Sequence, residues 1–174
     1  ALVNTDVRGR GYAPRGQTPV AMAVGGTREK LSMISTVTNQ GRASWMIVDG
    51  AFNHERLIEF LQALVRDGRK AGKKVFLILD NLKVHHAKLV TAWLAERKDQ
   101  IEVFYLPSYS PEINPDEYLN RDFKTELRSS DRATSKKALL NKATAFMARL
   151  VKTPERVIAY FNHSAVQYAA FSSI

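Results

Sequence analysis

A short apolar segment in the middle of the chain limits its possible folds more than any other feature. The five residues Val75–Leu79 are all apolar, and the segment ends at Asp80. A continuous apolar run is typical of a strand buried on both faces of a parallel or mixed sheet. Apolar residues at helical spacing over 89–94 and a strand pattern over 103–106 follow it. This part of the sequence therefore predicts a strand–helix–strand crossover in which 75–79 is a central strand.

Strand patterns also occur upstream of this crossover. Apolar residues alternate over 20–24, apolar and β-branched residues alternate over 31–38, and a short apolar run covers 45–48. Gly25-Gly26 and Asn39-Gln40-Gly41 lie between these segments and are suited to hairpin turns. We therefore expect three upstream strands joined by hairpins.

Helical patterns lie on both sides of the crossover, and each begins at a recognisable signal. Asn53 is a suitable N-cap for a helix that carries leucines on one face and is expected to stop at Gly68. Pro115 stands at the favoured first position of another helix. Ser135 and Pro154 open two more. Together with the strands, these helices predict an α/β fold.

The composition narrows the chemistry and the partners. The 174 residues include no cysteine, which excludes thiolate catalysis and cysteine-based zinc sites. No apolar run approaches the roughly 20 residues that span a bilayer, so we expect no membrane association and a cytoplasmic location. There are 26 Lys and Arg against 17 Asp and Glu, and this net charge of +9 favours polyanions such as nucleic acid. The basic residues are spread along the chain, so charge alone leaves an ordinary basic protein equally open.

Two acidic residues are candidates for a metal-binding site. Asp80 follows the predicted central strand, and ligands bind at the carboxyl ends of strands in α/β sheets. Glu117 lies 37 positions later, at the start of the Pro115 helix, so both acids can reach the same sheet edge. Two carboxylates suit Mg²⁺, and a pair of such ions can support phosphodiester hydrolysis or strand transfer. Taken singly, Asp80 could cap a turn with Asn81, and Glu117 could complete a capping box with Asn114.

The sequence around these two acids resembles a known family. Leu79-Asp80-Asn81 with His85, and the continuous segment 105–117 (YLPSYSPEINPDE), are similar to the two signature blocks of the DDE catalytic domain in mariner-like insertion-sequence transposases. The segments 12–19 and 160–170 also resemble that family. The resemblance therefore covers essentially the whole chain.

The resemblance implies a ribonuclease-H-like fold, a mixed sheet flanked by helices, as a single catalytic domain over 1–174. It implies cut-and-paste transposition with two Mg²⁺ or Mn²⁺ ions, acting on transposon ends and target DNA. Asp80 then corresponds to the second metal-binding aspartate and Glu117 to the third carboxylate. Asn81 and His85 match positions beside the metal site without being catalytic. On DNA, such a protein would be associated with the bacterial nucleoid.

The chain departs from the family pattern at its start. The family's first aspartate ends the first strand, upstream of the segment that 12–19 matches, whereas Asp6 lies only eight positions before Pro14 with no apolar strand ahead of it. We therefore expect the first catalytic aspartate and most of the first strand to be missing and the metal site to be incomplete, with substitution by Asp6 as the alternative. Asp49, at the end of an upstream strand, is interpreted as structural. The family's N-terminal helix-turn-helix DNA-binding region is also expected to be absent.

Two histidines raise a different possibility for metal binding. His85 and His86 with Asp80 suggest a transition-metal site. Adjacent histidines point apart, however, and a single distant carboxylate is a poor complement to them. We therefore favour the carboxylate pair.

Basic residues on the Glu117 helix are candidates for DNA contacts. They fall on a similar face, where they could line a DNA backbone or form an ordinary solvated surface. These residues are Arg121, Lys124 and Arg128.

Three functional hypotheses follow. The first is a transposase catalytic core whose fragment is inactive for lack of the first aspartate, and which forms a homodimer through an exposed sheet edge. The second is a different ribonuclease-H-like nuclease, such as a ribonuclease or a junction resolvase. The third is a non-catalytic transposon remnant that binds DNA through phosphate contacts alone.

Overall fold

A computed structural model describes residues 2–3, 30–48, 50–129 and 133–170. Its strands are β1 (Leu2–Val3), β2 (Lys30–Val37), β3 (Ala43–Val48), β4 (Val75–Leu79) and β5 (Ile101–Tyr105). Its helices are α1 (His54–Lys70), α2 (Lys88–Ala95), α3 (Pro115–Ser129), α4 (Lys136–Val151) and α5 (Pro154–Ala159). No helix in the described part of the chain is both long and apolar enough to span a membrane.

The first sheet is antiparallel, in the order β1–β2–β3. The predicted strands over 31–38 and 45–48 are confirmed as β2 and β3, which pair from Ser32↔Val48 to Val37↔Ala43. The predicted hairpin turn is also confirmed, since the Thr38 amide donates to the Arg42 carbonyl at 2.8 Å. Gly41 is needed there because its φ is +83° and any Cβ would lie 2.6 Å from Cβ of Pro154.

The second sheet pairs β4 with β5 in parallel, as the crossover pattern predicts. Register runs from Val75↔Ile101 to Leu79↔Tyr105, and the Leu106 amide continues the ladder to the Leu79 carbonyl at 2.8 Å. Both strands therefore end together, and the loops that follow them share one edge of the sheet. Asp80 begins the first of these loops, and the second leads to α3, which carries Glu117.

The prediction that 75–79 is buried on both faces is wrong for the described chain. Phe76 is 66% exposed and Ile78 47% exposed, whereas Leu77 between them is buried. Successive side chains of a strand point to opposite faces, and helix α1 packs on the Leu77 face only. Among the described strands, β4 pairs only with β5, so it is not a central strand there.

The prediction that Gly68 stops the first helix is also wrong. Helix α1 begins after its predicted cap, Asn53, whose side chain accepts from the Arg56 amide, but it continues to Lys70. A Cβ at position 68 would lie 2.8 Å from Cγ2 of Val75. The residue is therefore glycine because the helix passes close to the start of β4, and not because the helix ends there.

Two apolar clusters hold these elements together. One lies between β4–β5 and the helices α1 and α2, and includes Leu61 and Val90. The other lies between β2–β3 and the helices α3 to α5, and includes Leu119 and Phe146. Helix α4 begins at its predicted cap Ser135, whose hydroxyl accepts from the Ala138 amide.

Several sequence predictions concern residues outside the described ranges. They are the strand over 20–24, the Gly25-Gly26 turn, and the acids Asp6 and Asp49.

Candidate metal-binding site

Asp80 is the first residue after β4, and His85 holds its side chain. Nδ1 of His85 lies 3.0 Å from Oδ1 of Asp80 and 2.7 Å from the main-chain oxygen of the same residue. Both oxygens can only accept, so Nδ1 carries the hydrogen and donates it. The contact leaves the second carboxylate oxygen of Asp80 available for a ligand.

The position of His85 is itself fixed by its surroundings. The residue lies in a 3-10 turn over Lys83–His86 and is only 5% exposed. The ring of Phe52 approaches it edge-on, and the Tyr105 hydroxyl donates to its carbonyl at 3.4 Å. His85 therefore acts as a positioning residue for Asp80.

Asn81 joins the loops that follow β4 and β5. Its Nδ2 donates to Oγ of Ser108 at 3.0 Å, and its Oδ1 accepts from Nε2 of His86 at 2.5 Å. The His86 ring also packs on Tyr105, with 4.4 Å between ring centres. His86 is thus engaged away from Asp80, and no transition-metal cluster forms among the described residues.

Glu117 is presented by the N-terminus of α3. Asn114 caps this helix as predicted, because its Oδ1 accepts from the Asp116 amide at 3.0 Å. The capping-box alternative for Glu117 is not observed, since the Asn114 amide donates instead to the Pro111 carbonyl at 3.1 Å. The Glu117 carboxylate makes no hydrogen bond or ion pair with any described residue, so it is available for a ligand.

Asp116 connects the two candidate acids electrostatically and was not predicted from the sequence. Ser35 on β2 donates to its Oδ1 at 2.7 Å. Burial raises the pKa of Asp116 from 3.8 to about 7, and the charges of Glu117 and Asp80 add to this rise while the Ser35 bond opposes it. Both acids therefore lie close enough to Asp116 for their charges to act on it. The only sequence signal was its place beside Glu117 in an acidic first turn.

The donor set suits a hard cation but is small. Carboxylate oxygens are the protein ligands that Mg²⁺ and Mn²⁺ favour, and Asp80 and Glu117 supply them. Within the described ranges, no group of three or more His, Asp and Glu side chains is arranged to hold a metal ion. Asp80 and Glu117 are therefore the candidate metal ligands among the described residues, and two carboxylates alone do not complete a divalent-metal site.

The basic residues predicted to contact DNA lie on α3, downstream of Glu117. Arg121 is exposed, and its guanidinium lies 5.3 Å from the ring centre of Tyr118. Lys124 is partly buried, and the side chain of Arg128 lies outside the described residues. Arg121 lies four residues, about one helical turn, after Glu117 on α3.

Comparison with solved structures identifies the fold. The chain superimposes on a pre-cleavage Mos1 transpososome with a TM-score of 0.61 at 18% identity, covering 96% of this chain and 52% of that one. The Mos1 paired-end complex with the left transposon end gives a TM-score of 0.57 at 21% identity, covering 87% of this chain and 50% of that one. The Mos1 catalytic domain with raltegravir and Mg gives a TM-score of 0.52 at 15% identity, covering 83% of this chain and 84% of that one. The chain therefore has the predicted ribonuclease-H-like fold and spans about half the length of the longer Mos1 chains.

Sequence comparison identifies the family. No curated protein matches the chain. A family profile described as DDE superfamily endonuclease matches residues 2–140, which is most of the chain and includes both Asp80 and Glu117. With the fold of the Mos1 catalytic domain, this match makes the chain a member of the DDE superfamily endonucleases.

Proposed function

We propose that this chain is the catalytic core of a DNA transposase, in which Asp80 and Glu117 bind the divalent metal used in strand cleavage and strand transfer. The observation that carries the proposal is that Asp80 directly follows β4, while the loop after the paired strand β5 leads to the first turn of α3, where Glu117 lies. The charges of both acids, 37 positions apart in the sequence, also contribute to the raised pKa of Asp116. Both retain carboxylate oxygens that no described residue occupies. A pair of such acids at the end of parallel strands suits phosphodiester chemistry.

Each neighbouring residue has a distinct part in this proposal. Bound Mg²⁺ or Mn²⁺ would supply Lewis acidity and a more acidic bound water. His85 fixes the Asp80 carboxylate, and the Asn114 cap fixes the first turn of α3, which carries Glu117. Arg121 places a positive charge one turn away, where it would contact a phosphate of the DNA.

DNA is the proposed substrate. The net charge of +9 favours a polyanion, and the similar Mos1 structures include complexes with a transposon end. A further metal ligand is required for a complete site, and Asp6, outside the described residues, stays a candidate for it. We propose also that the chain forms a homodimer, because β4 has no described partner on the edge away from β5. Sedimentation as a monomer at high concentration would contradict the dimer.

Nicking of supercoiled plasmid in Mn²⁺ tests the function. The test uses two proteins: the chain itself and a version extended by the sequence upstream in its gene. Each is compared with its Asp80→Asn and Glu117→Gln variants. The control variant is Glu112→Gln, which changes an exposed acid in the turn before α3. We expect nicking in at least one of the two proteins, its loss with either site substitution, and its retention in the control. Nicking by neither protein, or nicking that survives Asp80→Asn, would refute the proposal.

The same assay separates the alternatives. A different ribonuclease-H-like nuclease would cleave an RNA–DNA hybrid in preference to duplex DNA. A non-catalytic remnant would bind DNA without metal, with a steep salt dependence that Asp80→Ala leaves unchanged.

A further inference from the structure

A basic cleft lies between the C-terminal half of α1 and the end of α2. Its volume is about 450 Å³, and eight residues line it. Four of them are basic, two are glutamines and none is acidic. The basic residues are Arg66, Arg69, Lys70 and Arg97.

The fold brings these cations together from two separate segments. Arg66 and Arg69 are three positions apart on α1, which places them on one face of the helix. Arg97 arrives from the turn after α2, where its NH1 donates to the Trp93 carbonyl at 3.0 Å and its guanidinium lies 4.6 Å from the Trp93 ring centre. The tryptophan thus holds Arg97 at the cleft through a hydrogen bond and a cation–π contact.

The positive charge in the cleft is only partly balanced. Lys70 lies 3.8 Å from Asp67, and both of these side chains are exposed. Arg97 lies 2.9 Å from the exposed Glu96 and is itself partly buried. The side chains of Arg66 and Arg69 make no ion pair or hydrogen bond with any residue that the structure describes, and both are exposed. Like charges one turn apart on a helix repel each other, so a bound anion would relieve this repulsion.

The cleft is distant from the candidate metal site. It includes Gln100, the residue just before β5 begins, whereas Asp80 and Leu106 lie where β4 and β5 end. Five residues of strand, at about 3.3 Å each, separate the two ends by about 17 Å. A ligand in the cleft is therefore not the group that reacts at Asp80 and Glu117.

We propose that this cleft binds backbone phosphates of duplex DNA at a distance from the bond that is cut. The inference rests on the proposed function, because it assumes that DNA is the substrate. Guanidinium groups donate two hydrogen bonds to one phosphate, and two arginines without described partners suit this geometry. An acidic protein segment would use the same charges, and the test below distinguishes the two.

Salt-dependent DNA binding in EDTA tests the inference without any catalysis. Fluorescence anisotropy of a labelled duplex is measured for the 174-residue chain, for Arg66→Gln/Arg69→Gln, and for the matched control Lys137→Gln/Lys152→Gln. The control removes the same charge from exposed positions at the two ends of α4. Thermal unfolding of each variant establishes that it is folded.

The two double variants should differ clearly. Each lost phosphate contact lowers the slope of log affinity against log salt by about 0.9, so the arginine variant should lose about 2 from the slope. We expect its affinity to fall at least about tenfold, and that of the control to fall by less than about threefold. Equal weakening by both variants would overturn the inference and leave the proposed function standing.

Two other outcomes would also overturn it. Unchanged DNA binding, together with loss of polyglutamate binding in the arginine variant, would assign the cleft to an acidic protein segment. Absence of DNA binding by the unsubstituted chain at any salt concentration would overturn both the inference and the proposed function. If Asp80→Asn abolishes plasmid nicking and Arg66→Gln/Arg69→Gln retains it, the two sites are separate.

Discussion

The substitution Asp116→Asn should stabilise the protein at alkaline pH and change little in acid. Asp116 accepts a hydrogen bond from Ser35, and burial raises its pKa from 3.8 to about 7. An asparagine keeps an oxygen for the Ser35 hydroxyl but carries no charge. The substitution therefore removes the cost of a buried negative charge and preserves the contact.

The direction of this pH dependence follows from the number of protons that the folded and unfolded states bind. Between about pH 4 and pH 7 the unfolded chain has lost the Asp116 proton while the folded protein retains it, so stability falls as pH rises through this range. A pKa shift from 3.8 to about 7 lowers the free energy of unfolding by about 4 kcal/mol above pH 7. Asp116 keeps some contact with solvent, which screens the charge, so we expect about 2 kcal/mol.

Thermal unfolding in EDTA measures the effect. For a chain of this length, about 2 kcal/mol raises the Tm by roughly 4–8 °C at pH 8, with little change near pH 4. The matched control is Asp99→Asn, at an exposed acid in the turn before β5. A gain of equal size at both pH values, or an equal gain from the control, would refute the reasoning that burial of the charge is the cause.

Three further predictions concern stability and the loop beside the site. Leu119→Ala removes a fully buried side chain of α3. Urea unfolding should show that the free energy of unfolding falls by about 2–5 kcal/mol. A fall of less than about 1 kcal/mol would mean that the core around this residue differs. The Asp122 carboxylate accepts hydrogen bonds from Arg156 at 2.7 Å and from the Tyr160 hydroxyl at 2.5 Å. Burial alone would raise the pKa of Asp122, but these bonds hold it below its ordinary value. Asp122→Asn should therefore cost about 1–3 kcal/mol at pH 7. The cost should shrink as the pH falls below 3.8, because the unfolded chain takes up its proton there before the folded aspartate does, and a cost that grows in acid would contradict this. Tyr109 is fully exposed with a φ of +60°, so Tyr109→Gly should stabilise the protein by up to about 1 kcal/mol in the same measurement, and destabilisation would show that the ring has an unobserved contact.

Local patterns predicted much of the fold correctly. The hairpin at Asn39-Gln40-Gly41 and the caps at Asn53 and Ser135 depend on neighbours within a few residues, so the sequence carries their signal. The parallel crossover from β4 to β5, which brings the loops after both strands to one sheet edge, follows from the connection rule for parallel strands. Both predictions rest on properties of short segments.

The features that were predicted wrongly or missed depend on distant partners. A continuous apolar strand does not reveal whether one face or two are covered, and Phe76 is exposed because the described helices cover only the other face. Gly68 faces β4, which no helix-end rule can anticipate. The partner of Asp116, Ser35, is 81 positions away. The basic cleft likewise exists only because α1 and the end of α2 pack together.

The central claim is that Asp80 and Glu117 share one divalent-metal site, and substoichiometric Mn²⁺ in an NMR titration tests it most directly. The paramagnetic ion should broaden amide resonances around Asp80 and around Glu117 at the same concentration. Asp80→Asn or Glu117→Gln should abolish both sets of effects, and Glu112→Gln should abolish neither. Broadening centred elsewhere, or broadening at one acid that persists when the other is replaced, would contradict the claim.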